Sequence, residues 1–449
     1  MSKNNLDMTQ GNALKLLTTF TLPSLASSLL SQVYSLTDSL IVGQFLGETP
    51  LAAIGVCIPI VFLIGSMIIG LNVGVGITMG QCFGRRDYSQ MRHALANSIY
   101  LGLGLGLFSA FAGPPLAGTI LRLMGTPEGP MADATSYLRI TFLSTVFPTF
   151  YYLFSNAFRG MGDSKSALYC LIVSVVCNIG LDYLFIAAFH LGVAGTAYAT
   201  ALAQGLSVVF AIIMLYRKYP KMRFTKADLH PDWKLFGAIS KLSLPIAAQY
   251  GFNNLGNVLV QGCINGFGET VMASYTAASR LSTFCLMPTE TIGSSLSVYA
   301  GQNYGAGKKD RICLGVHAAM IMNAAVSAVL AAVILLFGKL LVQLFMDEPA
   351  EKFVAIAWNS LLLAAVPGVI YGAAQVYQQV LRGIGQANHS MVGSFFQLSA
   401  KLLIAAIGTF WLKNLDVVWL SWPISYIVGC LYPCWYYKKK SGLDQLPAH

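Results

Sequence analysis

Apolar runs of about 20 to 30 residues alternate with short polar breaks along this chain, and each run is the length an α-helix needs to cross a bilayer. The pattern predicts twelve spans, over 16–44, 51–80, 93–121, 133–158, 165–188, 193–216, 238–262, 271–300, 312–337, 352–380, 389–411 and 416–437. The period-2 alternation of a membrane β-barrel is absent, so the expected class is an all-α polytopic membrane protein. Pro23, Pro59, Pro148, Pro245, Pro288 and Pro367 fall inside spans. Kinks of that kind persist in a membrane because neighbouring helices satisfy the freed backbone groups.

The longest polar break, 216–236, divides the chain near its midpoint, and its flanks repeat. Leu22-Pro23 matches Leu244-Pro245, Gly47-Glu48-Thr49 matches Gly268-Glu269-Thr270, and Gly80-Gln81 with Gly84 matches Gly301-Gln302 with Gly305. Arg159-Gly160-Met161-Gly162 answers Arg382-Gly383-Ile384-Gly385, and all four pairs lie 221 to 223 residues apart in one order. The reading is an N-terminal six-helix lobe over 1–217, a cytoplasmic linker over 218–236 and a C-terminal six-helix lobe over 237–449. Six spans per half give both copies the same polarity, hence parallel repeats, and transporters built this way hold substrate between the halves.

Composition sharpens this picture. Only 10% of the residues are charged against 55% hydrophobic, whereas a soluble domain carries about a quarter charged residues. The formal net charge of +10 raises the possibility of nucleic acid, but the basic residues gather in alternate loops and read as topology signals instead. With the N-terminus in the cytoplasm, 21 of 28 Lys and Arg fall in cytoplasmic segments, Lys3 among them, and only Arg122, Lys339, Lys352 and Lys413 in outer loops. Both termini are therefore expected in the cytoplasm, with no removable signal peptide. The nine cysteines show no metal-ligand spacing and are expected as free thiols. Six histidines, His449 the last, form no HExxH pair, and no nucleophile elbow or GxxxxGK[ST] loop occurs, so no enzyme is expected and concentrating power must come from an ion gradient.

Acids inside apolar spans cost about 2.5–3.5 kcal/mol each on insertion scales, and three are present: Asp38, Asp182 and Glu290. Asp38 and Asp182 each lie about six residues before the outer end of spans running the same way, so they share a depth. Asn178 is one helical turn from Asp182, and span 6 brings Thr196, Thr200 and Gln204 at spacing four. Such an oxygen cluster can take Na⁺ or H⁺ in competition, although the same acids can also serve only to tie helices together. Glu290 follows the Pro288 kink and is a second candidate proton carrier or a pairing group; Arg280, ten residues away, is not its obvious partner. The second half offers amides instead, Gln249, Asn253, Asn257 and Gln261 on span 7 and Gln375, Gln378 and Gln379 on span 10. These can line a wet cavity or act as interhelical glue. Tyr34, Tyr250, Tyr275 and Met287 are candidates to face the same space and bind organic cations. Arg139, Arg280 and Lys401 are the basic residues embedded in spans.

The chain resembles the multidrug and toxic compound extrusion (MATE) transporters, bacterial DinF-like and MepA-like branch. The resemblance rests on Tyr34-Ser-Leu-Thr-Asp38, Leu51-Ala-Ala-Ile-Gly55, Gly80-Gln-Cys-Phe-Gly84, Arg159-Gly-Met-Gly-Asp163, Asn178 with Asp182, Gly192-Val-Ala-Gly195 and Gly301-Gln-Asn-Tyr-Gly-Ala-Gly307. It implies a V-shaped pair of six-helix lobes, in a monomer of the bacterial inner membrane, exchanging Na⁺ or H⁺ for small cationic amphiphilic organic compounds. It also implies a first-lobe cation site at Asp38, Asn178, Asp182 and Thr200, with no other cofactor, and Glu290 is similar to a helix-8 acid of some members. A second family pattern, acids on helices 7 and 10, is replaced here by Gln249 and Gln375 to Gln379. Two other readings stand beside this one: a lipid-linked oligosaccharide flippase of the same superfamily, and a non-transporting membrane scaffold.

Overall fold

The computed structural model describes residues 6–345 and 350–440. Lys3 and His449, and the outermost ends of the two expected lobes, lie outside the described residues. The order is α1 Ala13–Leu46, α2 Glu48–Arg85, α3 Tyr88–Leu123, α4 Glu128–Leu143, α5 Val146–Gly160, α6 Ser164–Asp182 and α7 Gly192–Lys218. The second series is α8 Trp233–Asn265, α9 Glu269–Gly305, α10 Lys309–Gln343, α11 Glu351–Ala365, α12 Gly368–Gly383, α13 Ala387–Ala406 and α14 Leu415–Lys440. No strand occurs among the described residues.

Each of the twelve expected spans is met by helix, with two of them broken. Span 4 is α4 and α5, interrupted at Ser144 and Thr145 ahead of Pro148, and span 10 is α11 and α12, interrupted at Val366 and Pro367. A proline at or just after each break has no N–H for the i−4 carbonyl, which removes one helical hydrogen bond there. Pro23, Pro59, Pro245 and Pro288 stay inside continuous helices. Nine helical stretches are long and apolar enough on their own to cross a membrane, among the described residues. The α4–α5 pair, α8 and α9 are not in that set; α8 and α9 carry amides, hydroxyls and charge that only protein neighbours or water can satisfy.

The helices form two compact units whose boundaries do not follow chain order. One holds residues 6–7 and Leu22–Ala247, the other Met8–Thr21 and 248–440. The lead-in to each unit's first helix is thus anchored on the other series. Met8 is fully buried in the second unit; its N–H donates to Gln302 Oε1 at 3.0 Å, and its carbonyl accepts from Asn303 at 3.1 Å and Arg311 at 3.1 Å. The lead-in to α8 is held on α3 of the first unit, where Arg92 Nε donates to Asp228 Oδ2 at 2.8 Å and Asn97 Oδ1 accepts the Asp232 N–H at 2.9 Å.

The repeat is visible in local geometry. Gly162 and Gly385 both take positive φ, 78° and 88°, at the turn leading into α6 and into α13, where a Cβ would be strained. Past Asp182 the sixth helix widens into a π-helical segment, Tyr183–Ala188, and α13 does the same over Ile407–Trp411. Such widened turns are rare and frequently mark functional sites.

Candidate ion and substrate site

In the first unit α6 buries Asn178 and Asp182 one turn apart, at 1% and 0% exposure. The helix α1 contributes Tyr34 and Asp38, and α7 contributes Thr200. Asn178 Nδ2 donates to Thr200 Oγ1 at 3.4 Å, and the Tyr34 hydroxyl lies 3.4 Å from the same oxygen. The Asp38 and Asp182 carboxyls lie against each other. Asp38 Oδ1, both carboxyl oxygens of Asp182 and the Asn178 Oδ1 are buried and receive no protein hydrogen bond among the described residues.

That deficit defines the chemistry. A buried acceptor left unmatched costs about 1–3 kcal/mol, more when it is charged, so four together on two helices favour a donor: a water, a shared proton or a cation. Only oxygen is on offer, which suits a hard cation or a shared proton and not a soft metal. No group of three or more His, Cys, Asp or Glu placed to hold a metal occurs among the described residues. Depth and spacing in the sequence had grouped Asp38, Asn178, Asp182 and Thr200, and the fold brings all four together. Thr196 turns to its own helix and donates to the Val193 carbonyl at 2.8 Å. Sequence reasoning missed Tyr137 of α4, close enough to feel both carboxylates. No motif in the sequence signals it.

The second unit distributes its candidates differently. Gln249 and Gln378, each 2% exposed, do not line open space. Gln249 Nε2 donates to Gln378 Oε1 at 3.1 Å and to the Ser394 hydroxyl, while Gln249 Oε1 accepts from Arg382. Arg382, 4% exposed, also donates to Ser390 at 3.3 Å and Gln379 at 3.4 Å, with its guanidinium 5.5 Å from the Tyr250 ring centroid. This buried arginine is the hub of the amide network, and the sequence had offered it only as part of a repeated turn. Asn253 and Asn257 are exposed on α8, and Asn257 Oδ1 accepts from Lys401 at 3.3 Å. Tyr275 packs against Trp419 and Trp422, with ring centroids 5.9 and 5.8 Å away, and Met287 is buried. Glu290 stands on an exposed face of α9 with Oε1 accepting from Tyr371 at 2.7 Å, and Gln375 Nε2 donates to the same Tyr371 hydroxyl at 2.7 Å. Arg280 is exposed and forms no ion pair with it among the described residues.

The profile of the MatE family matches this chain twice, over residues 23–184 and 245–407, beginning in each case at the intrahelical proline of the series' first helix. The chain belongs to the MATE family of multidrug efflux transporters. This MATE chain is 29% identical over 443 residues to the probable multidrug resistance protein YoeA of Bacillus subtilis, covering 95% of this chain and 94% of that protein. It is 32% identical over 343 residues to the probable multidrug resistance protein YpnP of the same organism, covering 76% and 77%. A solved MATE structure in the straight conformation aligns with TM-score 0.91 over 99% of this chain and 100% of that chain at 22% identity, a likeness of fold alone. Within this MATE chain the first matched segment closes just after Asp182 and the second just after Ala406, so both contain the helix that ends in a π-helical segment.

Proposed function

We propose that this MATE transporter expels small cationic, amphiphilic organic compounds in exchange for Na⁺ or H⁺ by alternating access, with Asp38 and Asp182 as the coupling pair. The observation that carries the reading is the set of four buried oxygens without donors on Asp38, Asn178 and Asp182. An incoming Na⁺ or proton meets that deficit and cancels charge on α1. Because Met8–Thr21 is anchored in the second unit while Asp38 lies in the first, a change at Asp38 can be passed along α1, through the Pro23 position, to the other unit. Binding of the ion in the outward-open state then weakens the hold on an organic cation, which leaves before the ion is carried inward. With both termini in the bacterial cytoplasm, the inside-negative potential adds about 2.3 kcal/mol per 100 mV for each net charge moved inward. The protein acts as a monomer in this scheme, and Tyr34, beside Thr200, is an aromatic residue at the ion site.

Flux of a fluorescent organic cation in proteoliposomes, with Na⁺ and pH gradients imposed separately, tests this. Wild-type protein accumulates dye under at least one gradient and Asp38→Asn under neither. Equal dye flux by wild type and Asp38→Asn would end the scheme.

A further inference from the structure

The positions of the second unit that correspond to the ion site hold a lysine and no acid. Ser164, where α6 begins, and Ala387, where α13 begins, are 223 residues apart, and that offset carries Asn178 to Lys401 and Asp182 to Ala405. The 222-residue offset from Pro23 to Pro245 carries Asp38 to Val260. Two acids have become apolar residues, and an amide has become a lysine. The shared π-helical ending of α6 and α13 supports the register independently of sequence identity.

Lys401 is left short of partners. Its Nζ donates to the exposed Asn257 Oδ1 at 3.3 Å and lies 4.9 Å from the Trp422 ring centroid. No carboxylate forms an ion pair with it among the described residues. An ammonium has three N–H donors, so one long bond to a neutral amide and a ring face leave donors to spare. An ionisable side chain within a membrane span is a functional-site hypothesis by default. The network around Arg382 shows how this same unit satisfies a buried cation: several acceptors, all close and all buried. Lys401 lacks that enclosure, and its one hydrogen-bond partner stands on an exposed face of α8.

We propose that Lys401, with Asn257 and Trp422, binds a single anionic oxygen group, a carboxylate or phosphate, carried by an amphiphile. The ammonium supplies the charge, the Asn257 amide rotates its NH₂ to donate beside it, and the buried Trp422 ring backs the ammonium. The group comes either from a zwitterionic cargo or from a lipid headgroup. The site is an equilibrium binding property, so it stands or falls separately from the antiport reading above.

The test uses full-length protein in nanodiscs of neutral lipid and of lipid containing phosphatidylglycerol, with two probes: a rhodamine bearing a free carboxylate, and its methyl ester, which is a plain cation. Wild type, Lys401→Met, Lys401→Arg and Asn257→Asp are compared by fluorescence polarisation. Loss of one charge-assisted contact predicts about tenfold weaker carboxylate-probe binding in Lys401→Met, with Lys401→Arg close to wild type and the ester unaffected. Asn257→Asp supplies an internal occupant and gives the same loss while adding an ion pair, so it keeps the test open even where Lys401→Met folds poorly. If the source is lipid, phosphatidylglycerol weakens carboxylate-probe binding to wild type and leaves Lys401→Met unchanged, which also supports the anionic site. Equal affinity of wild type and Lys401→Met for the carboxylate probe overturns the proposal, and so does an equal loss for both probes.

Discussion

The two units carry the same helical framework and opposite electrical solutions inside it. In the first, Asp38 and Asp182 have buried oxygens that no protein donor meets. In the second, Arg382 is buried at a comparable cost in desolvation, yet Gln249, Gln379 and Ser390 all direct oxygens at it. Duplication supplied one scaffold, and divergence decided where satisfaction would be complete. A polar network that is complete stabilises a fold, whereas one with missing donors is poised for an occupant that comes and goes. The contrast therefore predicts that matched substitutions in the two units will be read by different instruments, transport in one and stability in the other.

The largest effect is expected at the unmatched acids. Asp38→Asn and Asp182→Asn each should lower gradient-driven dye flux by about a hundredfold, the equivalent of the roughly 3 kcal/mol that an intramembrane charge represents, while leaving thermal stability unchanged or raised. Glu290→Gln, whose oxygen already accepts from Tyr371, should keep flux within about threefold because the amide oxygen can accept the same bond. Flux that fell as far in Glu290→Gln as in Asp38→Asn would break the contrast between units. Next in size, Gln249→Leu should destabilise the detergent-solubilised protein by about 3 kcal/mol, since it strips the buried guanidinium of its main acceptor. Thermal unfolding measures this, and an unshifted midpoint would show that Arg382 finds other partners.

Where the units are alike, the effects should be alike. A Cβ on Gly160 would collide with the Gly76 carbonyl oxygen, and one on the repeat-related Gly383 would collide with the Ser297 carbonyl oxygen. Both positions let α5 or α12 pack backbone to backbone on the second helix of its series. Gly160→Ala and Gly383→Ala are each expected to cost about 1–3 kcal/mol, the usual range for overpacking. The measurement is again the unfolding midpoint, and a cost confined to one of the two would mean that the repeat has diverged in packing as well as in charge.

The sequence was most informative where a single physical rule governs a long stretch. Span length and hydropathy located all twelve helical stretches, because crossing hydrocarbon constrains about twenty consecutive residues at once. Depth and i, i+4 spacing grouped Asp38, Asn178 and Asp182 because those quantities are counted along single helices. The breaks at Ser144 and Val366 were less legible: ten prolines lie within the expected spans, and only packing decides which of them end a helix. The destination of Met8–Thr21 was not legible, because nothing local tells a lead-in which unit will receive it. Gln249 and Gln378 were open to two readings for the same reason. An amide stripe on α8 looks identical whether it faces water or a buried Arg382, and that arginine lies far along the chain, in α12.

The two lead-ins give the smallest and most discriminating test of the comparison. Each is clasped by an arginine near the start of its unit's third helical stretch, Arg92 for residues 221–228 and Arg311 for residues 8–11. Arg311 holds the carbonyls of Met8 and Gly11, with no carboxylate in those bonds. Arg92 holds Asp228, which also accepts from the Thr225 N–H and hydroxyl at 2.7 and 2.6 Å. Burial alone would push the Asp228 carboxyl up, but the bonds from Thr225 and Arg92 outweigh it and hold the carboxyl down at about 2. A carboxyl depressed on folding adds stability that is present above its unfolded value, about 4, and lost as pH falls through the folded value. Pepsin, active in acid, should therefore cut within 219–232 faster at about pH 2 than at about pH 4, relative to its cutting of unfolded protein at each pH. Asp228→Asn should be readily cut at both pH values. Cutting near residues 8–11, held through backbone carbonyls, should show no such step, and a step of equal size there would mean that the two clasps do not differ in kind.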